Sequence, residues 1–439
     1  MLSKFVRSGT ASIIVNVGVT NLLRIASSMT LTRLLDSRAY GIVGIITSVA
    51  YMLAMLSDVG IMPFIVRHAE GDDRALRDAI WTIRLIRGVT LTLLMIVLAG
   101  PAADFLGKPE LTPVIRVWAF SFLIDAFSSL FSATGVREQQ LWRLAIVDLT
   151  TNVATLIGSV CVALLWHSYW AMIVGMLLGQ VVRAILSYTI FPNALRRFRI
   201  DRARMRELWL FSRFIAMSSV LTLVILQADK VVLAKLMPLA QYGFYAIATT
   251  LTVAPEAIAH PYTQRVLFPI YARIVRENRA ALRDTFYDAR RRVALLYAFG
   301  VGGLIGGAPL LVAILYDPRY RPVAFFIQLL AIRVFLRMPN LAAQECAVAL
   351  GNTRSILIGN IIRIVWLVAG GAIGLWQKDV MLMIVAVATD EFGAMLYYWG
   401  LLAREKVFVL HKEAYGFAVG LVGAGLGWAV ASVGLRFFD

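Results

Sequence analysis

Glu256 and His260 stand four residues apart between Pro255 and Pro261, in an otherwise apolar stretch. On a helix that spacing stacks a carboxylate and an imidazole on one face. The two prolines predict a bend there, because each lacks an amide donor and its ring meets the carbonyl four residues back. Such a pair in a broken membrane helix can take up and release a proton near neutral pH; a hydrogen-bonded buried pair is the plainer role for the same residues. Asp58 and Asp148 are further acids in apolar surroundings that could carry a coupling ion. Arginine offers the second chemistry. Arg24, Arg333, Arg337 and Arg363 lie centrally in apolar runs, where each costs roughly 2.5–3.5 kcal/mol unless it faces water, a counter-ion or a ligand. Arg333 and Arg337 share a helical face, as do Arg84 and Arg87. Like charges on one face repel, so the spacing suits an anionic ligand. Arg84, Arg87, Arg183 and Arg265 also lie near one predicted membrane edge and can equally snorkel to headgroups. A structural ion pair is the competing role for Arg24 and Arg333.

Other chemistries lack their residues. There is no GxxxxGK[ST] loop for ATP, no HExxH, and no pair of histidines at metal spacing. No metal and no cofactor are therefore expected, apart from a coupling ion. Cys161 and Cys346 lie far apart in apolar runs, outside any CxxC pattern, so no disulfide or redox centre is expected.

The elements that carry these residues must be membrane helices. Of 439 residues 60% are hydrophobic and only 16% charged, with a mean hydropathy of +0.76; soluble domains carry roughly 25% charged residues. The predicted class is an all-α polytopic membrane protein. About 20 apolar residues cross a bilayer, which predicts about thirteen spans: 8–32, 40–66, 79–100, 113–135, 144–166, 168–190, 208–236, 241–268, 292–316, 322–348, 355–376, 379–402 and 413–436. The basic N-terminus shows no cleavage site and is expected to remain as the first span. The formal net charge is +17, and arginine is concentrated in the segments 195–209 and 273–292. Both belong to inner loops if the N-terminus is cytoplasmic, and the C-terminus then lies outside. Those segments lack the interleaved aromatics of a nucleic-acid surface, so no nucleic-acid partner is expected; they read as topology signals and anchors to anionic lipid.

LTRLLDSRAYG (31–41) returns as LAKLMPLAQYG (233–243), an offset of 202 residues from Tyr40 to Tyr242. This marks the outer elbow of two equivalent halves. The expected organisation is an N-lobe over 1–190, a basic linker over 191–207, a C-lobe over 208–402 and an additional helix over 403–439. Six spans per half give a parallel repeat, with the transport path between the lobes.

The stretches LTRLLDSRAYGIVGIITSVAYMLAMLSDVGIMPFIVR (31–67), ILQADKVVLAKLMPLAQYGFYAIATTL (225–251) and QRVLFPIYARIVREN (264–278) resemble the polysaccharide transporter family. These are the Wzx-type flippases of the multidrug/oligosaccharidyl-lipid/polysaccharide exporter superfamily, and the resemblance extends over about residues 1–402. It implies two six-helix lobes in a V shape around a central cavity. It also implies alternating access that carries an undecaprenyl-diphosphate-linked oligosaccharide across the bacterial inner membrane, for exopolysaccharide, O-antigen or capsule assembly. Cavity cations in such relatives contact the diphosphate, and Arg24 stands where a first-helix arginine of that set would stand. The expected partners are the lipid-linked oligosaccharide, membrane lipids, and polysaccharide polymerase and chain-length machinery, for a monomeric transporter and not an enzyme. A thirteenth span departs from the family's even count. The residues leave open whether H+, Na+ or consumption of the product outside drives the cycle. A drug or metabolite exporter would call for an acidic cavity. A membrane glycosyltransferase or polymerase would call for a large outer loop, and no predicted outer loop exceeds about a dozen residues.

Overall fold

The computed structural model describes residues 9–191, 196–377 and 379–437, with the side chains of 9–17 and of most of 213–228 outside that description. The expected retention of the extreme N-terminus, part of the linker and the last two residues therefore lie outside the described residues. No strand occurs among those described. Among the described residues nine helices are long and apolar enough to cross a membrane, and a tenth span is the pair Leu111–Phe127 and Phe131–Arg137, bent by 43°. The three other expected spans are α1 (Gly9–Leu34), α10 (Arg202–Leu236) and α11 (Leu239–Tyr262), of 26, 35 and 24 residues; they are not among the nine. The chain is an all-α, multi-pass membrane protein.

The repeat is written into the helix boundaries. α1 ends at Leu34 and α2 (Ser37–Leu56) begins three residues on; α10 ends at Leu236 and α11 begins at Leu239, each displaced by the offset that links Tyr40 to Tyr242. Asp36 caps α2 by accepting from the Ala39 amide at 3.0 Å, and Pro238, with its fixed φ, opens α11. The second helix of each half is also interrupted at one equivalent place. α2 stops, and the chain resumes as α3 (Ile61–Arg67) after Gly60 at φ 60°. α11 passes into a π turn over Thr263–Leu267 just beyond Pro261, with His260 at the repeat position of Asp58. A proline lacks the amide that would continue the ladder, and a π turn is one way to absorb the loss.

The chain divides into two compact units, Met1–Lys235 and Leu236–Asp439. In the first, the elbow residues Leu31, Leu35 and Ala39 pack on Ala163 and Ala171 of the hairpin formed by α8 (Leu141–Trp166) and α9 (Trp170–Thr189). A second cluster joins Phe64 and Ile65 of α3, Leu76 and Ile80 of α4 (Arg74–Phe105), and Leu208 of α10. Here the basic linker meets acids: Arg204 pairs with Asp73 at 2.6 Å and His68 with Glu207 at 2.8 Å. One expected straight span is three helices, α5 (Leu111–Trp118), α6 (Phe120–Phe127) and α7 (Phe131–Arg137).

The second unit continues with α12 (Phe268–Glu277), α13 (Leu282–Leu315), α14 (Val323–Ala349), α15 (Arg354–Gln377), α16 (Val380–Ala388), α17 (Asp390–Arg404) and α18 (Leu410–Gly434). Glycine seals α18 to α13. A Cβ on Gly302 would lie 2.0 Å from the Gly420 carbonyl oxygen, and one on Gly306 1.9 Å from that of Ala424. Without a hydrophobic drive between helices in lipid, such backbone approach is what lets two spans associate. The register is parallel: Arg290 meets Glu413, Gly302 meets Gly420 and Leu310 meets Gly434. Parallel spans are separated by an odd number of crossings, so α14, α15 and the broken pair α16–α17 count as three. The C-terminal end of α18 thus lies opposite the basic end of this unit.

Candidate functional site

The break between α6 and α7 exposes backbone at membrane depth, where every carbonyl needs a partner. Tyr188 donates to the Phe127 carbonyl, Trp81 Nε1 to that of Ser128 at 3.2 Å, and Arg84 Nη1 to that of Ser129 at 2.8 Å. The Ser129 amide donates to Ser187 Oγ at 2.9 Å. Arg84 also pairs with Asp125 at 2.9 Å. Arg87 serves the neighbouring break: it donates to the Ala54 carbonyl at 2.7 Å and to Ser57 Oγ at 3.1 Å, near the end of α2. Asp58 sits in that break and accepts from the Gly60 amide at 3.0 Å.

Between the two breaks lies a cavity of about 340 Å3, with Arg84, Arg87, Arg183, Asp125, Gln180 and Trp118 among its walls. Three arginines face one aspartate, whose side chain is 57% exposed. Among the described residues the buried atoms Arg183 Nε, Gln180 Oε1 and Trp118 Nε1 have no hydrogen-bond partner, although the Arg183 guanidinium sits 5.3 Å from the centre of the Phe131 ring. Arg183 Nε is an unspent donor on a cationic group and Trp118 Nε1 a neutral one, while Gln180 Oε1 can only accept. A guanidinium donor left open in a concave site is the setting for a charge-assisted hydrogen bond to an anion.

The arginines of the second unit are placed differently. Arg337 pairs with Glu391, which also takes Arg363 at 2.9 Å and Asn340 Nδ2 at 2.7 Å; Arg333 pairs with Asp390 at 3.0 Å. Both carboxylates are 0% exposed and Arg363 2%. The adjacent acids open α17 directly after the break at Thr389, where the positive helix end favours them. Glu256 and His260 stand within electrostatic reach of Arg337, so the expected coupling pair joins this cluster. With Glu256 counted, three cations meet three carboxylates.

Arg24 and Arg265 are exposed, and neither forms an ion pair among the described residues. Asp148 lies half-buried on α8, also without one; its carbonyl accepts from Asn152 at 2.8 Å. The structure thus gathers Arg84 and Arg87 in one place and Arg333, Arg337, Arg363, Glu256 and His260 in another. Sequence reasoning did not single out Gln180, Trp81, Ser187 or Tyr188, whose roles arise from helix breaks that no turn residue announces. Nor did it link Asp390 and Glu391 to arginines 28 to 57 positions away.

The family described as "Polysaccharide biosynthesis protein" matches residues 30–324. The chain belongs to that family. This member is 22% identical over 309 residues to the lipopolysaccharide biosynthesis protein WzxC of Escherichia coli (strain K12), covering 70% of this chain and 62% of that one. It is 23% identical over 253 residues to the succinoglycan biosynthesis transport protein ExoT of Rhizobium meliloti (strain 1021), covering 56% and 50%. The matches thus span about half to three-fifths of those relatives' lengths. Among solved structures, an inward closed conformation of the lipid II flippase MurJ superposes with a TM-score of 0.73 at 11% identity, over 95% of this chain and 92% of that one. An inward-facing multidrug resistance MATE transporter of the MOP superfamily superposes at 0.67 with 16% identity, over 95% and 96%. These likenesses establish a common transporter fold.

Proposed function

We propose that the protein is a flippase that moves a lipid-linked oligosaccharide with an undecaprenyl-diphosphate carrier across the bacterial inner membrane by alternating access of two lobes. Its product would serve exopolysaccharide, O-antigen or capsule assembly, beside a polymerase and chain-length machinery. The observation that carries the reading is the cavity of the first unit, where Arg84, Arg87 and Arg183 outnumber Asp125 in a chain of this family. A diphosphate cannot cross hydrocarbon bare. The guanidinium groups of Arg84 and Arg87, already oriented by backbone carbonyls, can donate to its oxygens with little reordering. A drug exporter for cations would want the opposite charge balance. Arg24 and Arg265, exposed and unpaired among the described residues, are the further cations that the diphosphate would meet. In this reading Arg333, Arg337 and Arg363 hold the fold of the second unit. Glu256 with His260, Asp58 and Asp148 are the candidate carriers of a coupling H+ or Na+. The basic ends of the helices face the cytoplasm.

The test is deletion followed by complementation. Cells without the protein should lose surface polysaccharide and accumulate a lipid-linked sugar on the cytoplasmic leaflet. Arg87→Gln should fail to restore the polysaccharide although it inserts at normal level. Full polysaccharide in the deletion strain, with no accumulated precursor, would overturn the flippase reading.

A further inference from the structure

We infer that the basic end of the second unit holds an anionic phospholipid, seated between α13, α14 and α18 at a place unrelated to the cavity of the first unit. A cavity of about 430 Å3 opens there. At its rim stand Arg291, His411 and Lys412. Arg290 is already committed, since it pairs with Glu413 while Tyr287 donates to the same carboxylate at 3.1 Å. Arg291 and His411 make no hydrogen bond or ion pair among the described residues. Lys412 reaches Asp284 only at 3.9 Å, at an exposed carboxylate. With the Arg290–Glu413 pair set aside, Arg291, Lys412 and His411 stand at the rim with Asp288, and Asp284 lies 3.9 Å from Lys412, whose ammonium also sits 4.9 Å from the centre of the Tyr287 ring. α18 starts at Leu410 on this rim, so its positive end adds to the same field.

Below the rim the walls turn apolar: Ala294, Leu295 and Ala298 of α13, Phe335 and Met338 of α14, and Phe417 of α18. From Tyr287 to Ala298 the lining covers eleven steps of α13, roughly 16 Å at the helical rise. That length holds a headgroup at the charged mouth and the first part of an acyl chain beneath it. Basic pockets between spans at the cytoplasmic face bind anionic headgroups in this way. Deeper still, the glycine contacts of Gly302 and Gly306 close α13 onto α18 and end the slot. A lipid wedged above that seam would brace α18 against α13 where the seam is absent.

The experiment is native mass spectrometry of the purified full chain, released from nanodiscs of mixed phosphatidylglycerol and phosphatidylcholine. The variants are the exposed double substitution Arg291→Gln/Lys412→Gln, and separately Ala294→Phe, which fills the slot without touching a charge. Wild type should retain one phosphatidylglycerol in preference to phosphatidylcholine. The double variant should lose that preference by about tenfold or more, as removal of two cationic contacts requires. Ala294→Phe should lose the adduct with both cations intact. Retention of the adduct in both variants would overturn the inference. So would its displacement by inorganic phosphate, which would make the rim a plain phosphate site, or by farnesyl diphosphate, which would make it a substrate site.

Discussion

Each unit gathers one trio of buried or half-buried arginines among its apolar helices, and the two trios are satisfied in opposite ways. In the first unit Arg84 and Arg87 lean on backbone carbonyls and a serine at two helix breaks, with the solvent-exposed Asp125 paired to Arg84 and Asp58 within electrostatic reach of Arg87. In the second, Arg333, Arg337 and Arg363 are locked by Asp390 and Glu391, both wholly enclosed. A neutral carbonyl leaves a guanidinium its full positive charge, whereas an enclosed carboxylate cancels it. The first arrangement therefore bounds an open cavity that can receive an anion, and the second closes a core. Arginine at membrane depth is not in itself a binding site; the identity of its partner decides.

The comparison breaks most visibly at Glu391. Glu391→Ala leaves the buried Arg363 and the half-buried Arg337 without their acid, and it should cost about 3–5 kcal/mol. Denaturant titration of the full chain in detergent would measure this, and a loss under about 1 kcal/mol would mean that the lock is not structural. Gly306→Leu comes next. Its side chain would meet the Ala424 carbonyl in a tightly packed seam, and forcing α13 from α18 should cost roughly 1–3 kcal/mol or more, read as a fall in melting temperature. Arg87→Gln should cost less, about 1–2 kcal/mol for the carbonyl and hydroxyl it deserts, while transport is lost. Asp125→Asn should change stability by less than about 1 kcal/mol, because its pair faces solvent, and it should tighten anion binding by removing the cavity's one negative charge.

The smallest effect lies in the loop ahead of α4. A hydrogen bond from Arg137, joined by the charges of Arg137 and Arg77, holds Asp72 below the usual carboxylate range. A depressed value means that the stabilisation is complete above the ordinary pKa of about 4 and is lost as pH falls through the lowered one. Melting curves from neutral to acid pH should show a shallower decline in Asp72→Asn than in wild type.

Much of the fold was legible because apolar length and the elbow repeat are strong signals. LTRLLDSRAYG and LAKLMPLAQYG mark the elbow, and the helices on both sides of it begin and end at the same offset. The interruptions inside spans were harder to read. The stretch 113–135 is apolar enough to read as one span despite Arg116 and Asp125, yet it breaks near Ser128, where Trp81, Arg84, Ser187 and Tyr188 satisfy the freed backbone. Those partners are 45 to 61 residues away, beyond any local pattern. The same distance hides the partners of Arg337 and Arg363: spacing shows that two charges share a face, not which acid crosses over to meet them.

Binding of farnesyl diphosphate to the purified chain is the most direct measurement of the difference between the two arginine groups. Wild type, Arg84→Gln/Arg87→Gln and Arg333→Gln would be compared at fixed low salt. Affinity should fall about tenfold or more in the first-unit double variant, since each charge-assisted hydrogen bond contributes roughly 1.5–3 kcal/mol, and it should stay at the wild-type level in Arg333→Gln. Unchanged affinity in the double variant together with loss in Arg333→Gln would place the anion with the second unit and contradict the distinction drawn here.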